Sequence, residues 1–260
     1  MLFPETQRVT YKKNLLDRVI CQLRFPPILR IDKESPVEFQ DAIRKNFPEF
    51  QEKEEITLPQ SMQQEVPFEV LRQIIPSEIK NYQFSSKEGF WTVNLTHTFV
   101  ALITRKYKNW EEFKSKLDEP LKALNNSYEP AYFSRIGLRY VDIINRKVLG
   151  LEKFDWNELL QPYVLGLLSS TDVNKVVQRM EAKYEIRLND ESDIARISTG
   201  LVEQDNGEVC FMIDTDFFNT EKTDISNALN KLDFFHAHAF RLIRWLITDR
   251  LHDAMEPLIK

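Results

Sequence analysis

Leu138-Arg139-Tyr140, within the apolar segment Ile136–Val141, matches Leu23-Arg24-Phe25 of the apolar segment Val19–Phe25 at an offset of 115 residues. Both segments have the length and hydrophobicity that are typical of β-strands, and Pro26-Pro27 ends the first one. A duplicated unit repeats the order of all its elements rather than three residues alone. The same offset should therefore relate other elements of the chain.

The hydrophobic pattern predicts the same order of elements in two halves of the chain. The first half contains a strand at 19–25, a helix at 36–47, strands at 80–86, 90–95 and 99–104, and a helix at 110–125, which Asn109 caps. The second contains a strand at 133–145, a helix at 156–168, strands at 178–189, 194–202 and 208–214, and a helix from about 224 to 255. Residues 49–66 are predicted to be a long exposed connection, and Phe68–Ile75 a further strand.

We therefore expect an α+β protein with two pseudo-repeated halves, 1–128 and 129–260, that form one continuous unit. Each half would hold an antiparallel sheet with the order strand, helix, meander and long helix. This is the helix-grip arrangement, and its doubling resembles the TATA-binding-protein-like folds. Coincidence is the alternative, because an alternating α+β chain also yields some offset that relates its elements.

Composition excludes several classes of function. The 260 residues carry a net charge of −5, so general attraction to nucleic acid or to anionic lipid is not expected. Only six glycines are present, and no segment has the spacing of a glycine-rich phosphate-binding loop. No apolar stretch approaches 18 residues, which argues against a membrane span.

Two features indicate the compartment. Cys21 and Cys210 each lie in an apolar segment, which favours two buried thiols in a reducing compartment, with a lone disulfide as the alternative. The start Met1–Glu5 lacks the basic and apolar regions of a signal peptide. We therefore expect a cytoplasmic protein.

The only group of typical metal-ligating residues lies on the terminal helix. His236 and His238 are two residues apart and point in different directions around a helix, so they cannot share a metal ion. Only Asp249 and His252 have a spacing that brings them together. Neither cysteine has a neighbouring histidine, and a Gly-x-Ser-x-Gly motif is absent. No metal site, cofactor or catalytic set is therefore predicted.

Three arginines are the candidate ligand-binding residues. Arg135 and Arg139 share one side of their strand, and Arg24 is the mate of Arg139 under the repeat. If the two first strands lie side by side, their guanidinium groups could bind an anion, either a phosphate or the carboxylates of a partner. The alternative is that salt bridges within the chain occupy them.

The terminal helix is apolar around most of its circumference. One stripe can cover the sheet, and the remaining residues need a second neighbour. Trp245, Phe240 and His238 are therefore candidates for an interface with a protein partner or with a second copy of the chain. Burial within the chain is the default expectation.

Two motifs resemble a known family. Tyr107–Phe113 (YKNWEEF) and Phe133–Val141 (FSRIGLRYV) are similar to segments of a sporadically distributed bacterial family of about this length, as are Phe90–Val93 and the histidine-bearing terminal helix. The activity of that family is not established, so the resemblance transfers no catalytic residue. Its patchy distribution resembles that of genes on mobile elements and in phage-defence islands, which implies a role in conflict systems.

The sequence thus favours a non-enzymatic binding or adaptor module that acts with a partner effector, in bacterial anti-phage defence. A second hypothesis is nucleic-acid or nucleotide binding through Arg24, Arg135 and Arg139. A third is an enzyme whose residues converge only in space. A deep pocket that holds paired acids with shifted pKa values, or a pair of a histidine and an acid, would favour the third.

Overall fold

The computed structural model describes residues 2–55, 79–188 and 192–259, and these form a mixed α+β structure built around a large antiparallel sheet. The strands are β1 (Val9–Tyr11), β2 (Leu16–Arg24), β3 (Glu49–Glu55), β4 (Ile79–Ser85), β5 (Trp91–Leu95), β6 (Phe99–Thr104), β7 (Arg135–Ile144), β8 (Glu181–Arg187), β9 (Asp193–Glu203), β10 (Val209–Asn219) and β11 (Pro257–Ile259). The α-helices are α1 (Leu29–Lys33), α2 (Val37–Ile43), α3 (Trp110–Tyr128), α4 (Pro162–Leu165), α5 (Ala228–Leu246) and α6 (Asp249–Ala254). Short 3-10 helices lie at Trp156–Glu158, Gly166–Ser169 and Ile225–Asn227.

Nine strands form the large sheet, in the order β3-β4-β5-β6-β2-β7-β10-β9-β8. β2 and β7 are antiparallel neighbours at its centre, as expected for the two matching segments, and Cys21 lies opposite Leu138. The other two strands, β1 and β11, pair with each other outside this sheet. Residues close to the two ends of the chain therefore lie side by side.

The two faces of the sheet differ in composition because side chains alternate along each strand. The face that packs against α3 and α5 is apolar and buried. It includes Val19, Cys21, Leu23, Ile136, Leu138, Tyr140, Phe211, Ile213 and Phe217. On the central strands, the other face carries Gln22, Arg24, Arg135, Arg139, Asp214 and Asp216.

The terminal helix is shorter than predicted. A single helix from 224 to 255 was expected, but α5 ends at Leu246 and Ile247 is extended, with φ −97° and ψ 156°. Ile247 forms an isolated bridge with Leu160, and the side chain of Thr248 accepts a hydrogen bond from Leu251 N to start α6. The break gives the backbone at Ile247 a partner in a distant segment, which the local pattern does not show.

Two further predictions need correction. Residues 49–66 were expected to be a connection, but Glu49–Glu55 forms the edge strand β3. Edge strands are often rich in charged residues, so a hydrophobic pattern misses them. The helix at 156–168 is instead two 3-10 turns around α4, and Pro162 is the first residue of α4. The predicted strand Phe68–Ile75 lies outside the described residues.

Other local predictions are confirmed. Asn109 caps α3, since its side chain accepts a hydrogen bond from Glu112 N. Cys21 and Cys210 are buried free thiols. In the part of the chain that the structure describes, no helix combines the length and the hydropathy needed to cross a bilayer.

Candidate functional site

A pocket opens on the helix side of the sheet, between the central strands and α5. Its volume is about 110 Å³. β1 and the segment that leads into α3 form its other walls. The residues that line it are Arg8, Val9, Thr10, Tyr11, Asn14, Leu15, Leu16, Tyr107, Lys108, Asn109, Trp110, Tyr140, Asp142, Thr215, His236, Ala239, Phe240, Ile243 and Met255.

Among the described residues that line this pocket, Asp142 is the only acidic one. It lies on β7 with only 6% of its surface exposed. Within residues 2–55, 79–188 and 192–259, no side chain or backbone N–H donates a hydrogen bond to its carboxylate, and no cation pairs with it. Burial raises the pKa of Asp142 to about 7, and the nearby charge of Asp214 raises it further. The carboxyl group therefore titrates near neutral pH.

The strand period explains why Asp142 faces the pocket. Ile136, Leu138, Tyr140 and Ile144 occupy the same face of β7 and are buried in the core. Asp142 continues this series as an acidic residue at a core position, where an apolar residue is expected. Asp142 was not among the residues predicted to be functional, although the alternation along Ile136–Ile144 is visible in the sequence.

A chain of hydrogen bonds forms one side of the pocket. The hydroxyl of Tyr140 lies 2.9 Å from Nδ1 of His236 and is also hydrogen-bonded to Tyr107. Arg8 approaches Nε2 of His236 at 3.5 Å, which makes Nε2 the acceptor and leaves the ring proton on Nδ1. Burial lowers the pKa of His236 to about 4, and Arg8 lowers it further. The imidazole is therefore neutral at physiological pH.

His236 is held in place by Trp110 at the start of α3. The two rings are stacked, with their centroids 4.7 Å apart. The indole Nε1 donates a hydrogen bond of 2.7 Å to Asp233, and Lys114 pairs with the same carboxylate at 2.6 Å. These contacts tie α3 to α5, so the wall of the pocket is built from residues of both halves of the chain.

Tyr11 of β1 forms another wall of the pocket. Its hydroxyl lies 2.8 Å from Nδ1 of His252 on α6, and the two rings meet edge to face. Burial raises the pKa of Tyr11 to about 12; Arg244 lowers this pKa and the charge of Asp142 raises it. The phenol therefore stays protonated and can act as a hydrogen-bond donor or acceptor.

The candidate arginines lie on the other face of the sheet. Arg139 donates two hydrogen bonds to Asp214, at 2.7 and 2.5 Å, and Arg135 donates one of 2.8 Å to Asp216. Arg24 lies opposite Arg135 and donates a hydrogen bond of 3.1 Å to Gln22. The structure thus brings Arg24 and Arg135 together, and it pairs Arg135 and Arg139 with carboxylates of β10.

Gly137 makes the Arg135–Asp216 pair possible. A Cβ at this position would lie 2.3 Å from Nη1 of Arg135. The guanidinium group therefore crosses its own strand above Gly137 to reach Asp216. It also lies 4.9 Å from the ring centroid of Phe218. The Arg-Ile-Gly spacing in the sequence is thus explained by this close approach.

The three candidate interface residues lie in different surroundings. Phe240 lines the pocket. Trp245 is 39% exposed and stacks on Tyr163, with ring centroids 4.5 Å apart. His238 is fully buried, and its Nδ1 donates a hydrogen bond of 2.9 Å to the carbonyl oxygen of Phe234. His238 is therefore enclosed within the described part of the chain, whereas Trp245 is accessible from outside.

No protein-family model matches the sequence, and a search of curated proteins finds no match. In the described residues, no group of three or more His, Cys, Asp or Glu side chains is arranged to hold a metal ion. The geometry of the pocket is therefore the main guide to function.

Proposed function

We propose that this protein is a non-enzymatic binding module that holds a small organic molecule in the pocket between β7, β10 and α5. The observation that carries the proposal is Asp142, a buried carboxyl group that faces a cavity and has no partner in the described parts of the chain. Buried charged groups in proteins are normally paired. An unpaired one in a cavity is a feature of binding and catalytic sites.

The size of the pocket sets the size of the molecule. An engineered protein cavity of about 150 Å³ accommodates benzene. The pocket, at about 110 Å³ and with an opening to solvent, therefore suits a compound with a single ring whose substituents reach the mouth.

A filled-pocket variant tests this proposal. Ala239 lines the pocket, and Ala237 lies two residues earlier on α5 but outside the lining. We expect one-ring fluorinated probes (4-fluorobenzamidine, 4-fluorobenzamide and 4-fluorobenzoate), observed by ¹⁹F NMR, to include at least one that binds the native protein. Ala239→Phe should abolish this binding, whereas Ala237→Phe should preserve it.

Absence of binding for all three probes, or equal binding by the two variants, would contradict the proposal. Circular dichroism establishes whether each variant is folded. A second measurement needs no substitution in the pocket. A bound probe should quench the fluorescence of Trp110, because Trp110 lines the pocket. The same quenching should persist in Trp245→Phe, since Trp245 lies outside the pocket.

An enzyme is the second candidate. A carboxyl group whose pKa is about 7 is suited to proton transfer at neutral pH, and it shares the pocket with the Tyr140–His236 hydrogen bond. Hydrolysis of 4-nitrophenyl acetate at pH 7 tests this. We expect the native protein and Asp142→Asn to hydrolyse it at equal rates. A rate that is tenfold higher for the native protein would favour the enzyme hypothesis.

The role of a partner protein is a further proposal, supported by the family resemblance and by the exposed Trp245. We propose that a partner effector, in bacterial defence, contacts the surface formed by Trp245 and Tyr163. Co-expression with the product of the neighbouring gene tests this. A stoichiometric complex that is lost in Trp245→Ala and kept in Val148→Ala, a change at another exposed hydrophobic residue, is the expected result.

The pseudo-repeat and its TATA-binding-protein-like form are also a proposal, supported by the strand order. From the centre outwards, the first half runs β2, β6, β5, β4 and an additional edge strand β3, and the second runs β7, β10, β9, β8. Within this sheet, each half places the first of its strands at the centre and the last of its strands next to it. In addition, α3 and α5 follow those last strands and each contains 19 residues. Superposition of β2 to α3 on β7 to α5 tests the proposal, and divergent chain paths would refute it.

A further inference from the structure

The charged groups around Asp142 determine which ligands the pocket can accept. Those that line the pocket or lie next to it are Arg8 from the N-terminal segment, Lys108 from the segment before α3, Asp214 from β10, Arg244 and His236 from α5, and His252 from α6. The tyrosines Tyr11, Tyr107 and Tyr140 also line the pocket, and Glu111 and Asp233 lie near His236. A cation that neutralises the charge of the Asp142 carboxylate would have to come from this set.

Each cation in this set already has another partner. Arg8 pairs with Glu111 at 2.8 Å, Lys108 with Glu112 at 3.9 Å, and Arg244 with Asp249. Burial lowers the pKa of His236 and of His252, so both rings favour the neutral form. Asp214 adds a negative charge from the opposite face of the sheet, although Arg139 pairs with it. The floor of the pocket at Asp142 is therefore anionic once the carboxyl group ionises.

The walls of the pocket are aromatic. Tyr11, Tyr107, Trp110, Tyr140 and Phe240 all line it. Aromatic faces attract cations through the ring quadrupole, and they also pack well against flat rings. An anionic ligand would be repelled by Asp142 and would gain nothing from these faces.

Resting on the proposed function, we propose that the ligand is a one-ring organic cation, an amine or amidine, whose N–H groups donate hydrogen bonds to the Asp142 carboxylate. The ring lies among the aromatic walls, and the cationic group supplies the partner that the described residues do not. A charge-assisted pair with two parallel N–H···O bonds fits an amidine well, and a primary amine makes the same pair with fewer bonds.

Three probes of nearly the same shape test the charge preference. At pH 8.5, 4-fluorobenzamidine is cationic, 4-fluorobenzamide is neutral and 4-fluorobenzoate is anionic. We expect the amidine to bind at least tenfold more tightly than the amide, and the benzoate more weakly than both. Asp142→Asn should reduce the difference between amidine and amide to less than threefold.

Asp214→Asn is the matched control. It makes the same chemical change on the neighbouring strand, but on the face away from the pocket. The preference for the amidine should survive it. The preference should also weaken at least tenfold from pH 8.5 to pH 5.5, because Asp142 takes up a proton in this range while the amidine stays charged.

The outcomes separate this inference from the proposed function. Equal binding of amide and amidine, with loss of both in Ala239→Phe, would overturn the cation preference and leave the binding module standing. A preference for the amidine that persists in Asp142→Asn would also overturn the inference. Failure of every probe to bind would contradict both proposals.

Discussion

The two faces of the central sheet differ in whether their charged residues are paired. On the outer face, Arg135 and Arg139 meet Asp216 and Asp214, so each charge has a partner from the neighbouring strand. On the helix face, Asp142 is more deeply buried than any of these and has no partner among the described residues. Matched charges are accounted for by the fold alone. The proposed ligand would supply the partner of the unmatched one, so we take Asp142 as the better guide to function.

The largest expected effect comes from removing the unmatched charge. The pKa of Asp142 is raised from 3.8 to about 7 in the folded protein, so the folded state favours the protonated form. The native protein therefore loses stability as the pH rises from about 4 to about 7, by up to roughly 4 kcal/mol. We expect Asp142→Asn to avoid this loss and to be the more stable protein at pH 8. Urea unfolding from pH 4 to pH 8 measures the difference.

The difference between variant and native protein is the quantity to plot, because other carboxylates titrate in both proteins. It should grow with pH up to about 7 and then stay constant. Asp214→Asn serves as the control and should show a much smaller gain at high pH, because it removes only the lesser cause of the raised pKa of Asp142. A destabilised Asp142→Asn at pH 8 would mean that the carboxylate has a stabilising partner after all, and the contrast between the two faces would disappear.

The second prediction concerns the ion pair between Arg135 and Asp216 on the outer face. Asp216→Ala leaves the guanidinium of Arg135 unpaired in a site where only 21% of its side chain is exposed. We expect a loss of about 2 kcal/mol in the free energy of unfolding. Gly137→Ala should cause part of the same loss, because the new Cβ displaces this guanidinium.

A double-mutant cycle with Arg135→Met checks the origin of this loss. If the Arg135–Asp216 pair is responsible, Asp216→Ala and Gly137→Ala should each cost much less when Arg135 is already replaced. Undiminished costs in the Arg135→Met background would show that backbone or packing effects dominate. That result would weaken the view that the outer face is held by matched charges.

The third prediction concerns the wall of the pocket. Tyr140→Phe removes the hydroxyl that bonds to His236 and Tyr107, and we expect a loss of about 1 kcal/mol. Tyr184→Phe, at a tyrosine that is 48% exposed, is the control and should be neutral within error. Thermal unfolding measures both. No loss in Tyr140→Phe would indicate that water replaces the hydroxyl, so the wall would be less rigid than its contacts suggest.

The sequence predicts the sheet better than the pocket. The alternation in Ile136–Val141 and Val19–Phe25 depends only on local hydrophobicity, and both segments lie in central strands that pair with each other. The pocket joins Tyr11, Asp142 and His236, which are far apart in the chain. No local pattern in the sequence indicates that these three residues meet in one pocket. The acid at a core position of β7 was the one available signal.

The break at Ile247 illustrates the same limit. The hydrophobic pattern runs through the break without interruption, so a long helix was the natural prediction. The backbone instead pairs with Leu160, and Thr248 donates a hydrogen bond of 2.8 Å to the carbonyl oxygen of Glu158. Contacts between residues about 90 positions apart thus decide where the helix ends, and a sequence pattern read over a few turns does not contain them.

The last prediction concerns the effect of replacing Arg139, which the sequence predicted to be a ligand-binding residue. Arg139 is 47% exposed, but its partner Asp214 is only 15% exposed and would be left unpaired, so Arg139→Ala should cost about 1 kcal/mol. Because its charge is matched, we also expect any binding of single-stranded DNA to be weak and equal in Arg139→Ala and native protein. Fluorescence anisotropy with a labelled oligonucleotide, at 50 and 200 mM salt, measures this. Binding that falls steeply with salt, and falls again in Arg139→Ala, would instead identify the outer face as an anion-binding surface. In that case the phosphates of nucleic acid would replace the carboxylates as partners of the arginines. The outer face, rather than the pocket, would then be the functional one.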